Sequence, residues 1–450
     1  MVAVSDELTS APAVEIARRV RSGEVKAVEV VRSSLERIAA LDPELGAFQL
    51  VRSERALAEA EELGKRADLP DLPLAGVPVA VKDNTAVAGE PKRNGSRATT
   101  DVPSPRDDEV VRRLRAGGAV VVGLTRPSEL GTWGTSESLL GTTRNPWGPA
   151  RTAGGSSGGA GAAVAAGMVP LAHGADGLGS IRIPAAACGV VGVKPGPGMV
   201  PVDPDWWFGM VEHGPLATTV GDTALMLSVM AERPELEPTP PDRPLRIAVS
   251  TKFPRLPFPV DPEYRRATME TAERLAAAGH VVEEADPPYS QSMANGAYLR
   301  WFAGTAHTAE GLDVQRLEPR TRAHVRAGRL LGRMVKPTQQ YRWRELAARF
   351  FASRDLLLTP GLARPAIPLR RGERRSWAST LWVETRFAPF AGPWNLARFP
   401  AAVVPIGRHS NGLPLGGQLV AAPGGEQLIL SAARQLEDLT PWPRHAPLHA

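Results

Sequence analysis

An alternation along the chain constrains the fold most. Short, mostly apolar runs at 76–82, 119–124, 189–194, 245–250, 401–406 and 416–421 are separated by segments whose apolar residues recur at helical spacing. Five or six consecutive apolar residues, bounded by Gly, Pro or a charge, suit a strand covered on both faces. The covering layers come from the intervening helices, expected at 12–40 with a break at Ser22-Gly23, and at 56–63, 108–116, 219–231, 262–278 and 425–439. Further strands are expected at 280–285 and 355–359. Strand, helix, strand in repetition predicts an α/β fold with a largely covered sheet.

Length and composition narrow the function. With 450 residues, 43% apolar and 22% charged, the chain can bury a large core and resembles neither a disordered nor a coiled-coil protein. The net charge is only +5, and its high pI of about 9.6 reflects a basic set that is almost all arginine beside seven lysines. That is weak ground for a nucleic-acid partner. A single cysteine, Cys188, excludes an internal disulfide and a Cys-based zinc site, and suits a reducing, cytoplasmic setting. The segment 1–10 carries Asp6 and Glu7 and no basic-then-apolar leader pattern. The uncharged stretch 152–175 is long enough to span a bilayer, but seven Gly, two Ser and a Pro make it a loop followed by a buried Ala-rich helix. The histidines lack metal-ligand spacing except His445 and His449 in a Pro-rich tail, so neither a metal nor any other cofactor is expected.

Two segments break the rhythm. Five prolines between Pro234 and Pro244 mark a linker at 233–245. The stretch 289–351 looks helical and rich in arginine, with Trp301 and Trp343 interleaved. It is expected to be a solvated layer whose Arg stems lie over aromatic surface rather than a nucleic-acid groove.

Chemistry concentrates in glycine-rich loops. Gly154-Gly-Ser156-Ser157-Gly-Gly carries a Gly-x-Ser-x-Gly pattern, but a Pro/Gly loop precedes it where a nucleophile elbow needs a strand. Twenty-four residues on, Gly177-Leu178-Gly179-Ser180 presents a second Gly-flanked serine. Two such hydroxyls, with a lysine ending a buried strand, suggest nucleophilic catalysis with a neutral amine as base. Lys82 and Lys194 each end an apolar run, and residue chemistry alone does not rank them.

These residues carry a resemblance. Gly76-Val-Pro-Val-Ala-Val-Lys82-Asp-Asn, Arg144-Asn-Pro-Trp147, the two glycine-serine loops, Cys188-Gly-Val-Val-Gly-Val-Lys194-Pro, Gly214-Pro-Leu-Ala-Thr-Thr-Val-Gly-Asp222 and Gly412-Leu-Pro-Leu-Gly-Gly-Gln418 resemble, in order and spacing, the amidase signature family. The resemblance covers about 1–230 and 355–440 and leaves out 289–351. It implies one domain over 1–450, with a mixed, mostly buried central β-sheet flanked by helices on both faces. Its signature core would span about 60–230, its variable substrate-side layer about 289–351, and 355–440 would complete the sheet. It breaks the lysine tie, implying Lys82 as base, Ser156 as a bridging serine on a cis peptide bond and Ser180 as nucleophile. Backbone N–H groups of Gly177, Leu178, Gly179 and Ser180 would hold the oxyanion. Ser157, Asp176 and Arg182 would support the loops. Leu178 stands where the family has glycine, which requires a negative φ there; Ala175, Ala153 and Gly196 are milder departures. Trp206, Trp207 and Phe208, in a loop expected to follow the last core strand, at 189–194, either line an acyl pocket or belong to the core.

The leading function is hydrolysis of a small amide with an apolar or aryl acyl group, without metal, membrane or nucleic acid. A homodimer is left open. The alternatives are an amidotransferase subunit of a tRNA-dependent complex, favoured only by the arginine-rich stretch, and a degenerate binding homologue, suggested by Leu178.

Overall fold

The computed structural model describes residues 8, 10–234, 236–254, 258–369 and 376–448. The stretch read for a leader lies outside them except at Leu8 and Ser10, as does His449.

Eleven strands form one mixed sheet. They are β1 (Phe48–Val51), β2 (Pro78–Lys82), β3 (Val120–Thr125), β4 (Leu171–Asp176), β5 (Val191–Lys194), β6 (Glu212–Ala217), β7 (Arg246–Val249), β8 (Val281–Glu284), β9 (Leu356–Pro360), β10 (Ala401–Arg408) and β11 (Pro414–Ala421). Across the sheet they run β1-β3-β2-β4-β6-β5-β10-β11-β9-β7-β8. The segments before and after the proline-rich stretch therefore join one sheet, and that stretch connects two parts of a single domain. Every residue of β2, β3, β4, β5 and β6 is buried, as expected where helices cover both faces. Among the described residues no helix is long and apolar enough to cross a membrane.

The apolar runs became strands within a residue or two. The stretch 152–175 did not become loop and helix alone. A short buried helix, Gly158–Ala165, is followed by β4, which pairs in parallel with β2 and antiparallel with β6. The Pro/Gly segment before Ser156 is likewise no plain loop, because Gly148–Thr152 pairs with Arg144–Asn145 as a small hairpin outside the main sheet. Nor is β5 the last core strand, since β6 follows the Trp206 loop and lies in the middle of the sheet.

The arginine-rich stretch forms helices Gln291–Thr308, Pro319–Leu331 and Pro337–Phe351. Arg326, Arg329, Arg333, Arg342, Arg344 and Arg349 are exposed, as a solvated layer requires. Arg320 departs from that pattern. It is buried, pairs with Glu318 at 2.8 Å and lies 5.1 Å over the Trp133 ring, where the cation and the ring face attract. The layer's inner side joins Trp207, Trp301, Trp343 and Trp394 in an aromatic cluster. Trp301 Nε1 donates to Thr132 O, and Trp133 Nε1 donates to Thr321 Oγ1, both at 2.9 Å. These bonds tie the layer to the loop beside Ser156.

Candidate active site

Parallel pairing sets the first contact. Ala80 on β2 lies opposite Ala172 on β4, so Lys82 ends its strand level with residues 174–175. Its Nζ reaches Ala175 O at 3.0 Å and Ser156 Oγ at 2.7 Å. Sites at the carboxyl ends of parallel strands are a general property of such sheets. Lys82 is 1% exposed, and this burial pushes its pKa down to about 7, with the Asp176 charge pulling back upward. Ser156 follows a cis Gly155–Ser156 peptide and is held by Ser128, whose N–H donates to Ser156 O at 3.2 Å. Gly155 must be glycine, because a Cβ there would lie 2.5 Å from the carbonyl oxygens of both Trp133 and Thr135.

The loop between β4 and helix Arg182–Cys188 carries Ser180. Asp176 Oδ1 accepts from Gly179 N at 2.7 Å and Oδ2 from Ile181 N at 3.1 Å, which folds the loop around the carboxylate. Gly179 takes φ 115°, a conformation only glycine adopts readily. Leu178 is not among the described non-glycine residues with positive φ, so its side chain is accommodated without strain. The Gly179 N–H, one of the four expected oxyanion donors, is committed to Asp176 Oδ1. Ser157 Oγ points to Ala175 O at 3.5 Å, while its N–H donates to Ser180 O at 3.1 Å.

Asp176 and Arg182 form a fully buried, two-pronged pair, with Nε to Oδ2 and Nη2 to Oδ1 both at 3.0 Å. Asn395 and Gln418 complete it, accepting from Arg182 at 2.5 and 2.7 Å. Burial alone would raise the Asp176 pKa, but the Arg182 charge and the hydrogen bonds that Arg182 and Asn395 donate outweigh it and hold the carboxyl well below its usual range. A carboxylate held low stabilises the fold above its unfolded pKa and loses that contribution as pH falls. Asp176→Asn keeps the shape but strands the Arg182 charge. We expect it to lower the unfolding free energy by about 3 kcal/mol, read from urea melts at neutral pH.

Lys194 is equally buried but sits elsewhere. Its Nζ donates to Pro195 O at 2.9 Å, and its pKa is lowered by burial while Glu212, Asp176 and Glu426 oppose that shift. Only Lys82 touches Ser156.

The aromatic loop divides. Trp207 is buried, donates from Nε1 to Thr308 Oγ1 at 3.1 Å and wedges against Gly304 and Gly177. It lines two cavities with Ser180. One holds Lys82, Asn84, Ser156, Ser180 and Trp206. The other, of about 60 Å³, is lined by Ser180, Leu178, Trp207, Tyr298, Trp301 and Phe387 among others. Trp207 is thus both core and wall. Phe208 is 44% exposed and lines neither cavity. Trp206 also borders a polar vestibule of about 540 Å³ with Asn84, Lys92, Asp203 and His213. Among the described residues no group of three or more His, Cys, Asp or Glu is arranged to hold a metal.

An amidase family profile matches residues 29–430, most of the chain. The chain belongs to the amidase family. It is 39% identical over 457 residues to "Putative amidase AmiB2" of Mycobacterium tuberculosis, covering 98% of each chain. Among solved structures, 6-aminohexanoate cyclic dimer hydrolase with its substrate superposes at a TM-score of 0.89, with 30% identity over 98% of this chain and 99% of that one. A bacterial aryl acylamidase of the amidase signature family superposes at 0.82, with 27% identity over 96% of each. The large mixed sheet flanked by helices is the architecture these enzymes share.

The amidase places further residues at its site that sequence reasoning did not single out. Asn395 binds Asp176, Arg182 and Met210 O from a six-residue helix with no motif to announce it. Gln418 lay within a quoted motif, but nothing there assigned it to Arg182. Tyr298 and Trp301 come from the helical layer, where they read only as amphipathic packing. His173 and His213 meet at 2.9 Å behind Lys82, both kept neutral by burial.

Proposed function

We propose that this amidase hydrolyses small amides with apolar or aryl acyl groups through a Ser180–Ser156–Lys82 relay. One observation carries the reading: a buried, neutral-leaning lysine 2.7 Å from Ser156, on a cavity that Ser180 also lines. Ser180 Oγ attacks the carbonyl carbon, its proton passes to Ser156, and Ser156 passes its own to Lys82 Nζ. The free amides of Gly177, Leu178 and Ser180 face the developing oxyanion. Lys82 returns the proton through Ser156 to the leaving nitrogen, the C–N bond breaks, and an acyl-Ser180 ester remains. Water attacks that ester by the same relay and frees the acid.

The cavity of about 60 Å³, with its aromatic wall, suits the acyl group, and the polar vestibule beside Lys82 and Asn84 suits the departing amine. The aryl acylamidase likeness supports the same class. A panel of aryl and aliphatic amides tests this. The native enzyme should hydrolyse aryl and short apolar acyl amides, and Trp207→Ala should raise their KM by about tenfold through lost aromatic contact. Because Trp207 is also core, the same change should lower stability by about 3 kcal/mol. No turnover of any amide by the native enzyme would overturn the reading.

A further inference from the structure

The chamber beside Ser180 ends at two side chains. Tyr298 Oη and Thr385 Oγ1 meet at 2.8 Å, and both residues also line a second cavity on the outer side. The inner chamber holds about 60 Å³ and the outer groove about 610 Å³. Leu299 and Phe302 of the 291–308 helix form one wall of the groove, and Trp377 and Leu381 of the Trp377–Phe387 helix form the other. Met334 and Trp382 lie at its rim, 55% and 52% exposed. So much exposed apolar surface, divided from the Ser180 chamber only by this pair, asks for an apolar occupant.

We propose that the Tyr298–Thr385 pair is a specificity-determining partition: an acyl chain too long for the inner chamber parts the two hydroxyls and lays its apolar tail in the outer groove. This inference rests on the acyl group occupying the Ser180 chamber. The pair is the divider because it joins two helices by side chains alone, so rotamer changes open it without moving backbone. Each hydroxyl can bind water when the pair parts, which offsets the hydrogen bond between them against the apolar surface the tail covers. The groove supplies Met334, an adaptable side chain, and aromatic faces, but no buried charge among its lining residues, so the tail is an uncharged alkyl or arylalkyl chain. The long substrate would be a medium-chain fatty or arylalkyl amide.

The experiment is a chain-length series of N-acyl 4-nitroanilides, from two to twelve carbons, read as the ratio of kcat/KM for long over short chains. Tyr298→Phe and Thr385→Val each remove one hydroxyl of the pair and should raise that ratio by about tenfold, whereas Leu381→Arg puts a charge in the groove and should lower it by about as much. A ratio unchanged in all three variants overturns the partition. Decanamide titration of tryptophan emission reads the groove independently, because Trp377 and Trp382 line it. Decanamide binding that Leu381→Arg weakens, in a protein that hydrolyses no anilide, would keep the groove and overturn the hydrolase reading. Binding indifferent to Leu381→Arg, in an active enzyme, would do the reverse.

Discussion

Lys82→Arg should abolish amide hydrolysis, lowering kcat by about 10³-fold or more while the protein stays folded. Arginine keeps the positive charge, but it cannot surrender a proton at working pH, so a relay that ends on a neutral amine stops. Lys82→Met, similar in volume and uncharged, should be equally inactive, which separates the loss of a base from any strain of fitting a guanidinium. Lys194→Arg should retain far more activity, because Lys194 faces Pro195 O and carboxylates rather than a serine. The same logic fixes the pH profile. Burial pushes the Lys82 pKa down to about 7, and the proposed relay needs it unprotonated, so kcat/KM should rise through pH 7 and fall on the acid side. An acid limb that keeps its midpoint in Lys82→Met would assign that titration to another group.

Ser180→Ala should cost about 10⁴-fold or more in kcat, as removal of a nucleophile does where the residual rate comes from binding and oxyanion contacts alone. Its fold should survive. Ser180 is only partly buried, and the loop is shaped by Asp176 through the Gly179 and Ile181 amides, which the substitution leaves in place. Circular dichroism and urea midpoints like those of the native chain, beside the lost turnover, are the expected pair of results.

Much of the architecture was legible because strands covered on both faces are written as unbroken apolar runs. β2, β3 and β5 were visible for that reason. Two other strands beside the site were not. β4 reads Leu-Ala-His-Gly-Ala-Asp and β6 Glu-His-Gly-Pro-Leu-Ala, all buried, yet polar and small enough to look like loop. Their histidines are buried against each other, His173 on His213, and Asp176 is buried against Arg182. Functional sites are where local sequence rules give way to tertiary ones. The glycine-serine loops declared themselves by residue type, and the family resemblance, not chemistry, chose between the two lysines. The burial of Lys82 against Ser156 explains that choice physically, since only this lysine ends its strand beside a hydroxyl. The contacts of Arg182 with Asn395 and Gln418 join segments more than 200 residues apart, and no local pattern predicts such a meeting. The division of the Trp206-Trp207-Phe208 loop was equally hidden. Trp207 packs against Gly304 of the distant helical layer while Phe208 stays exposed, a difference that three adjacent aromatics do not announce in the sequence.

The relay through Ser180 is tested most directly by intact-protein mass spectrometry after treatment with a fluorophosphonate probe. The account predicts one added label on the native chain, mapped to Ser180 by peptide analysis, much slower labelling in Lys82→Met and none in Ser180→Ala. A label that persists in Ser180→Ala, or that maps to Ser156 in the native enzyme, would contradict it.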